Sequence, residues 1–210
     1  YSPQIAAEHK SQCESIAKHR AWAMREGTPI EDKREACINY FRLLGALEMR
    51  FASSELRINF IWRDAFQKVV RMGEADMRYE SAAILFNLAA ETSLAGITQP
   101  RQEPEGLKSA CHLFQQAAGI IDLLISHTAN TSWAARSTVD LSPPVLRTIH
   151  TLMLAQAQRC YYERAVLDAM SPKLLSRIAA QLALFYDEVS ASLRTAPLLN
   201  HMPNSWSTIC

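Results

Sequence analysis

Ser81-Ala-Ala-Ile-Leu-Phe-Asn-Leu-Ala-Ala90 decides the fold: its apolar residues recur at helical spacing, and small side chains flank one large aromatic. A second version follows 28 residues later, Ser109-Ala-Cys-His-Leu-Phe-Gln-Gln-Ala-Ala118, with Ser, Ala, Leu, Phe, Ala and Ala in the same places. Small residues beside an aromatic let neighbouring helix backbones approach while the ring fills the hole, as in helical-repeat solenoids. Chance similarity between alanine-rich helices is the other explanation. Either way, the two helices are expected to pack against each other.

Outward from this pair the period of three and four persists, and only six glycines interrupt the 210 residues, so an all-α fold is expected. A first helix is read from Pro3 to Arg25, stopped by Gly27. Thr28-Pro29 starts a second, with Thr28 as its cap, Pro29 in its first turn, a buried stripe of Cys37, Tyr40, Leu44 and Leu47, and an end near Arg50. Ile58, Phe60 and Trp62 alternate with Asn59 and Ile61, which predicts an extended segment near 57–62, anchored by Trp62. A short helix is expected over Asp64–Met72, then long ones over Asp76–Ala95, Pro104–Ser126, Pro143–Ala169 and Pro172–Arg194.

Composition narrows the function classes. Twenty-two basic residues balance 21 acidic ones without long runs, which leaves no electrostatic footprint for nucleic acid or anionic lipid. The longest apolar stretches, Ala82 to Ala90 and Ile120 to Ile125, fall well short of the ~20 residues of a membrane span. No starting Met or signal sequence precedes Tyr1-Ser2-Pro3-Gln4, so the chain is expected to begin inside a longer, intracellular protein. Cys13, Cys37, Cys111 and Cys160 lie singly in helical patterns, as reduced, buried thiols would. His9, His19, His112, His127, His150 and His201 form no zinc spacing, and neither phosphate-binding glycine motifs nor a nucleophile elbow occur. Asp187-Glu188 diverge by about 100° around a helix and cannot act as a facing couple. No catalytic residue, cofactor or metal is therefore expected, and the chain reads as a protein-binding module.

The last helical hairpin is the candidate surface. Met170-Ser171-Pro172 forms a tight joint with Ser171 as cap, so the two helices lie antiparallel. On the second of them Leu175, Ala179, Leu182, Tyr186 and Val189 form one apolar stripe, and Leu174, Ile178 and Phe185 a second beside it. Tyr161, on the preceding helix, lies beyond that helix's stripe of Ile149, Met153, Ala157 and Cys160. This surplus apolar face is either a groove for an amphipathic partner helix or is covered by another helix of the same protein.

Five segments, in order, resemble the signatures of the BRO-one domain, the banana-shaped helical module of ALIX, PalA, His-domain tyrosine phosphatases and rhophilins. They are Trp62-Arg-Asp-Ala-Phe66, Tyr79 to Ala90, Glu105-Gly-Leu-Lys108, Phe114-Gln-Gln-Ala-Ala-Gly119 and Leu152-Met-Leu-Ala-Gln-Ala-Gln158. Tyr40-Phe41 through Phe51, and Ala179-Ala-Gln181 before Phe185-Tyr186, extend the match over nearly the whole chain. The resemblance implies an elongated solenoid of tetratricopeptide-like hairpins, with residues 1–210 forming the central part of one domain that lacks its amino-terminal strands and last helices. It further implies binding of the carboxy-terminal amphipathic helix of an ESCRT-III subunit of the charged multivesicular body protein family, and a cytoplasmic protein recruited to endosomes. By position, the family's binding patch falls on Tyr161, Leu174 and Ile178. An acidic residue expected two before the Gly-Leu-Lys motif is Pro104 here, which leaves adjacent Glu105 as the polar contact. Pro203-Asn-Ser-Trp206 resembles the rhophilin branch instead, which implies a Rho-associated scaffold. A non-catalytic arm of a longer phosphatase is a third reading, although no phosphatase motif occurs in these residues.

Overall fold

A computed structural model describes residues 3–51 and 58–195, with side chains from Lys10 onward. Six α-helices account for most of it: α1 (Pro3–Met24), α2 (Ile30–Glu48), α3 (Met77–Ile97), α4 (Pro104–Thr128), α5 (Pro143–Leu167) and α6 (Pro172–Leu193). A two-stranded hairpin, β1 (Phe60–Arg63) and β2 (Arg71–Glu74), follows α2, and two 3-10 turns, Ala134–Arg136 and Val139–Leu141, lead into α5. The principal contacts run α1 to α2, α2 to α3, α3 to α4, α4 to α5 and α5 to α6. Packing in chain order is the signature of a helical solenoid, and the expected fold class holds.

Local chemistry explains most boundaries. Gly27 has φ +72°, so α1 stops where only glycine turns without strain. Proline occupies the first turn of α4, α5 and α6, where its missing N–H costs nothing. Asp76 caps α3 by accepting a 2.9 Å hydrogen bond from the Arg78 N–H. One expected cap, Thr28, is displaced, and the other, Ser171, forms without its side chain. Pro29, not Thr28, is the N-cap of α2, and the Thr28 hydroxyl turns back to donate to the Arg25 carbonyl at 3.3 Å. Ser171 is the N-cap of α6, but only its carbonyl acts, accepting from the Leu174 and Leu175 N–H groups.

The short helix expected over Asp64–Met72 is a correction. Residues 60–63 pair antiparallel with 71–74, Phe60 opposite Glu74 and Arg63 opposite Arg71. Asp64 diverts the backbone: its Oδ1 accepts from the Phe66 and Gln67 N–H groups at 2.7 and 2.8 Å, the Asx geometry that closes a turn. Its Oδ2 accepts from the Val139 N–H at 2.6 Å, tying the hairpin to the second 3-10 turn. Trp62 is the expected anchor. Its Nε1–H donates to Glu80 Oε2 at 2.6 Å. Of the predicted extended segment near 57–62, residue 57 lies outside the described residues.

Two side-chain clusters hold α2, α3 and α4 together. Ala23, Cys37, Tyr40, Leu44, Ile84 and Leu88 fill the α1–α2–α3 side. Tyr79, Leu85, Ile121, Leu124, Trp133 and Leu146 belong to the larger cluster between α3, α4 and α5. Close approach of α3 and α4 has a visible cause at Gly96, where a Cβ would stand 3.1 Å from the Phe114 ring. Phe114 is buried and Phe86 half-buried, so the two look-alike segments pack together but sit in different surroundings. Among the described cysteines, Cys37 and Cys160 are buried and Cys111 half-buried, whereas Cys13 is exposed.

Candidate functional site

α5 and α6 are joined by a Schellman turn: the Met170 N–H reaches the Ala165 carbonyl at 3.1 Å and the Ala169 N–H the Val166 carbonyl at 3.0 Å. Ala169 takes the left-handed conformation this turn requires, with φ +49°. The two helices thereby run antiparallel, and the α5 end faces the α6 start. Arg164 also donates to the Pro104 carbonyl at 3.1 Å, which brings the first turn of α4, with Glu105, to the same end of the molecule.

Tyr161, on α5, is 48% exposed, and Leu174, in the first turn of α6, is 39% exposed. Both are large apolar surfaces at the hairpin end. Val166 and Leu167 extend the exposed patch toward the joint. Glu105 is exposed and pairs only loosely with Lys108, at 3.8 Å. Ile178 differs from the expectation of a surplus outer stripe: it is 6% exposed and its carbonyl accepts from Gln158 Nε2 at 3.4 Å. The reading of two stripes needs correction here. Ile178 and Val189 are buried while Leu182 and Phe185 are half-buried, so the seam facing α5 runs 178, 182, 185, 189, between the two proposed stripes. That spacing of four, three and four is a heptad seam, and Leu174 lies at its edge.

Beside Tyr161 the surface dips into a pocket of about 170 Å³ lined by Cys111, Leu154, Ala157, Gln158, Tyr161 and Phe185, with Gln115 at its edge. Tyr161 and Phe185 thus share one concavity contributed by α4, α5 and α6. Of these, Leu154, Gln158, Cys111 and Gln115 were missed by sequence reasoning. The signal was present in part: Leu154, Gln158 and Tyr161 stand at i, i+4 and i+7 on one face of α5. Burial pushes the Cys111 thiol up from its ordinary value, so it stands protonated in this wall. The chemistry offered is a half-exposed aromatic, an exposed aliphatic and a small apolar pocket bordered by amides, which suits an apolar helix face with a polar edge.

Among the described residues, no group of three or more His, Cys, Asp or Glu side chains is placed to hold a metal ion. No helix among them is long and apolar enough to cross a membrane. Pro203-Asn-Ser-Trp206 lies outside the described residues.

A family profile described as the BRO1-like domain matches residues 1–210. The vacuolar-sorting protein BRO1 of Arabidopsis thaliana is 31% identical over 213 residues, covering 98% of this chain and 25% of that protein. Rhophilin-2-B of Xenopus laevis is 34% identical over 191 residues, covering 87% of this chain and 27% of that protein. An ALIX BRO1 CHMP4C complex superposes with a TM-score of 0.84 at 26% identity, over 97% of this chain and 58% of that one. The chain spans about a quarter of the length of the curated relatives it matches.

Proposed function

The chain belongs to the BRO1-like domain family, and on that premise we propose that it is a non-catalytic scaffold that binds the carboxy-terminal amphipathic helix of an ESCRT-III subunit. Through that helix it brings its host protein to endosomes. The observation that carries this reading is the pairing of exposed Tyr161 and Leu174 with the pocket beside Tyr161, in a fold that aligns over 97% of its length with ALIX BRO1 in its CHMP4C complex. Tyr161 and Leu174 contact the apolar stripe of the incoming helix, and one of its aliphatic side chains enters the pocket. Ile178 supports this surface from beneath as part of the α5–α6 seam. Glu105 supplies a polar contact at the rim.

Burying an aliphatic of the size of Leu174 contributes about 1.5 to 3 kcal/mol, and an aspartate in its place also carries a desolvation cost. Calorimetric titration of the CHMP4C carboxy-terminal helix peptide should give binding that Leu174→Asp weakens by roughly a hundredfold, while circular dichroism of the variant stays helical. Equal affinity for both proteins would place the interface elsewhere. A second reading, a Rho-linked scaffold of the rhophilin kind, is favoured by the 34% identity to Rhophilin-2-B. A folded chain that ignores the CHMP4C peptide would favour that reading.

A further inference from the structure

A second concavity lies at the other end of the helical array, between α1 and α2. It encloses about 610 Å³ and its floor is Ile16, Leu43 and Leu47. All three are half-buried and pack against the core beneath. Arg42 and Arg50 stand on its α2 side and His19 on its α1 side, the remaining lining is uncharged, and none of it is acidic. Both arginines are exposed and, among the described residues, neither forms an ion pair or a side-chain hydrogen bond. On α2, Glu48 faces Arg78 at 4.0 Å and Glu31 pairs with Arg34 at 2.7 Å. Glu35 falls one turn beyond the Asn39 end of the groove.

We propose that the α1–α2 groove is a second docking surface that takes an acidic amphipathic helix from a partner protein. Its apolar stripe would lie on Ile16, Leu43 and Leu47, and its carboxylates would reach Arg42 and Arg50. Charge complementarity selects this occupant. Two guanidiniums that are unpaired among the described residues stand above an apolar floor and present forked donors that match carboxylates, and a lining free of acids imposes no like-charge repulsion on an acidic helix. Dimensions agree as well: from Asn39 to Arg50 the floor runs roughly 16 Å, three helical turns. Arg42 and Arg50 are separated by roughly 12 Å, so they match glutamates seven or eight residues apart on the guest. A bilayer is too flat to reach the recessed leucines. Single-stranded nucleic acid would need stacking aromatics, and the lining has none. This groove is independent of the Tyr161 surface and stands whether or not that surface binds ESCRT-III.

The test uses a fluorescent helical peptide of about 18 residues with leucines on one stripe and glutamates flanking it eight apart, and a twin carrying lysines instead of the glutamates. Fluorescence anisotropy should give saturable binding of the glutamate peptide that weakens at high salt. The double variant Arg42→Glu, Arg50→Glu should lose roughly tenfold or more in affinity for it and gain affinity for the lysine twin. Leu174→Asp should leave it unchanged. Both arginines are exposed, so the variants keep their fold, and circular dichroism checks this. The proposal is overturned by any of three results: no binding up to about 1 mM, binding that charge reversal leaves unchanged, or a concentration-dependent dimer in sedimentation that the same reversal dissolves.

Discussion

Glu80 has no solvent exposure, yet three donors converge on it: Arg20 Nε at 2.6 Å, the Tyr40 hydroxyl at 3.0 Å and Trp62 Nε1 at 2.6 Å. One carboxylate therefore joins α1, α2, β1 and α3. Burial, then the Glu80 charge, pushes the Tyr40 hydroxyl well above its ordinary value, so Tyr40 stays a donor throughout the accessible pH range. Removing the acceptor strands three buried or half-buried donors, and Glu80→Ala should cost about 3 to 5 kcal/mol in urea unfolding. A loss below about 1 kcal/mol, the scale of a surface ion pair, would contradict the hub. Asp140 behaves differently. Its Oδ2 accepts from the Ala65 N–H at 2.9 Å, but Oδ1 has no hydrogen-bond partner among the described residues. Burial first, and the nearby Asp64 charge, raise its pKa against the opposing pull of Thr138, Ala65 and Leu141. A raised carboxyl contributes most below the unfolded value of about 3.9, and that contribution is lost as pH rises through the folded value. Asp140→Asn should accordingly gain stability relative to the parent between pH 4 and pH 7, and a pH-independent difference would refute this. Neither residue's role was legible in the sequence, where Glu80 was only a letter inside a family signature and Asp140 part of an unassigned loop. Their partners are 60, 40 and 18 residues away for Glu80 and 75 for Asp140, beyond any local pattern.

Four long helices, α3 to α6, were readable from their period and their start signals, the Asp76 cap of α3 and a proline in the first turn of α4, α5 and α6. The misreading over Asp64–Met72 has a physical origin: the stretch is too short for period to decide, and an Asx turn built by Asp64 outweighed the helical tendency of Ala65-Phe66-Gln67-Lys68. Two elements carry direct tests. Ala169 occupies the left-handed position of the α5–α6 turn, where glycine is the favoured residue. Ala169→Gly should raise stability by about 1 kcal/mol, and a decrease in thermal midpoint would show that the turn is not strained. In the first turn of α4, Gly106 abuts Pro100 so closely that a Cβ would overlap the Pro100 carbonyl. Gly106→Ala should therefore cost about 1 to 3 kcal/mol, opposite in sign to the usual gain from Gly to Ala in a helix.

Across the whole molecule the helices pack in sequence order. Tyr161 could be placed on the surface from sequence because it falls off its helix's buried stripe, and Leu174 through the family resemblance. Ile178 could not, since the true seam of α6 passes between the two stripes that periodicity alone suggested. The concavity between α4, α5 and α6 was equally hidden, as it depends on the spacing of three helices. The most direct measurement of the central claim is a nuclear magnetic resonance titration of the isotope-labelled chain with the CHMP4C carboxy-terminal helix peptide. Resonances of Leu154, Tyr161 and Leu174 should shift and saturate together, while those of Leu43 and Leu47 in the α1–α2 groove stay in place. Shifts confined to Leu43 and Leu47, or none at all in a folded chain, would contradict the account.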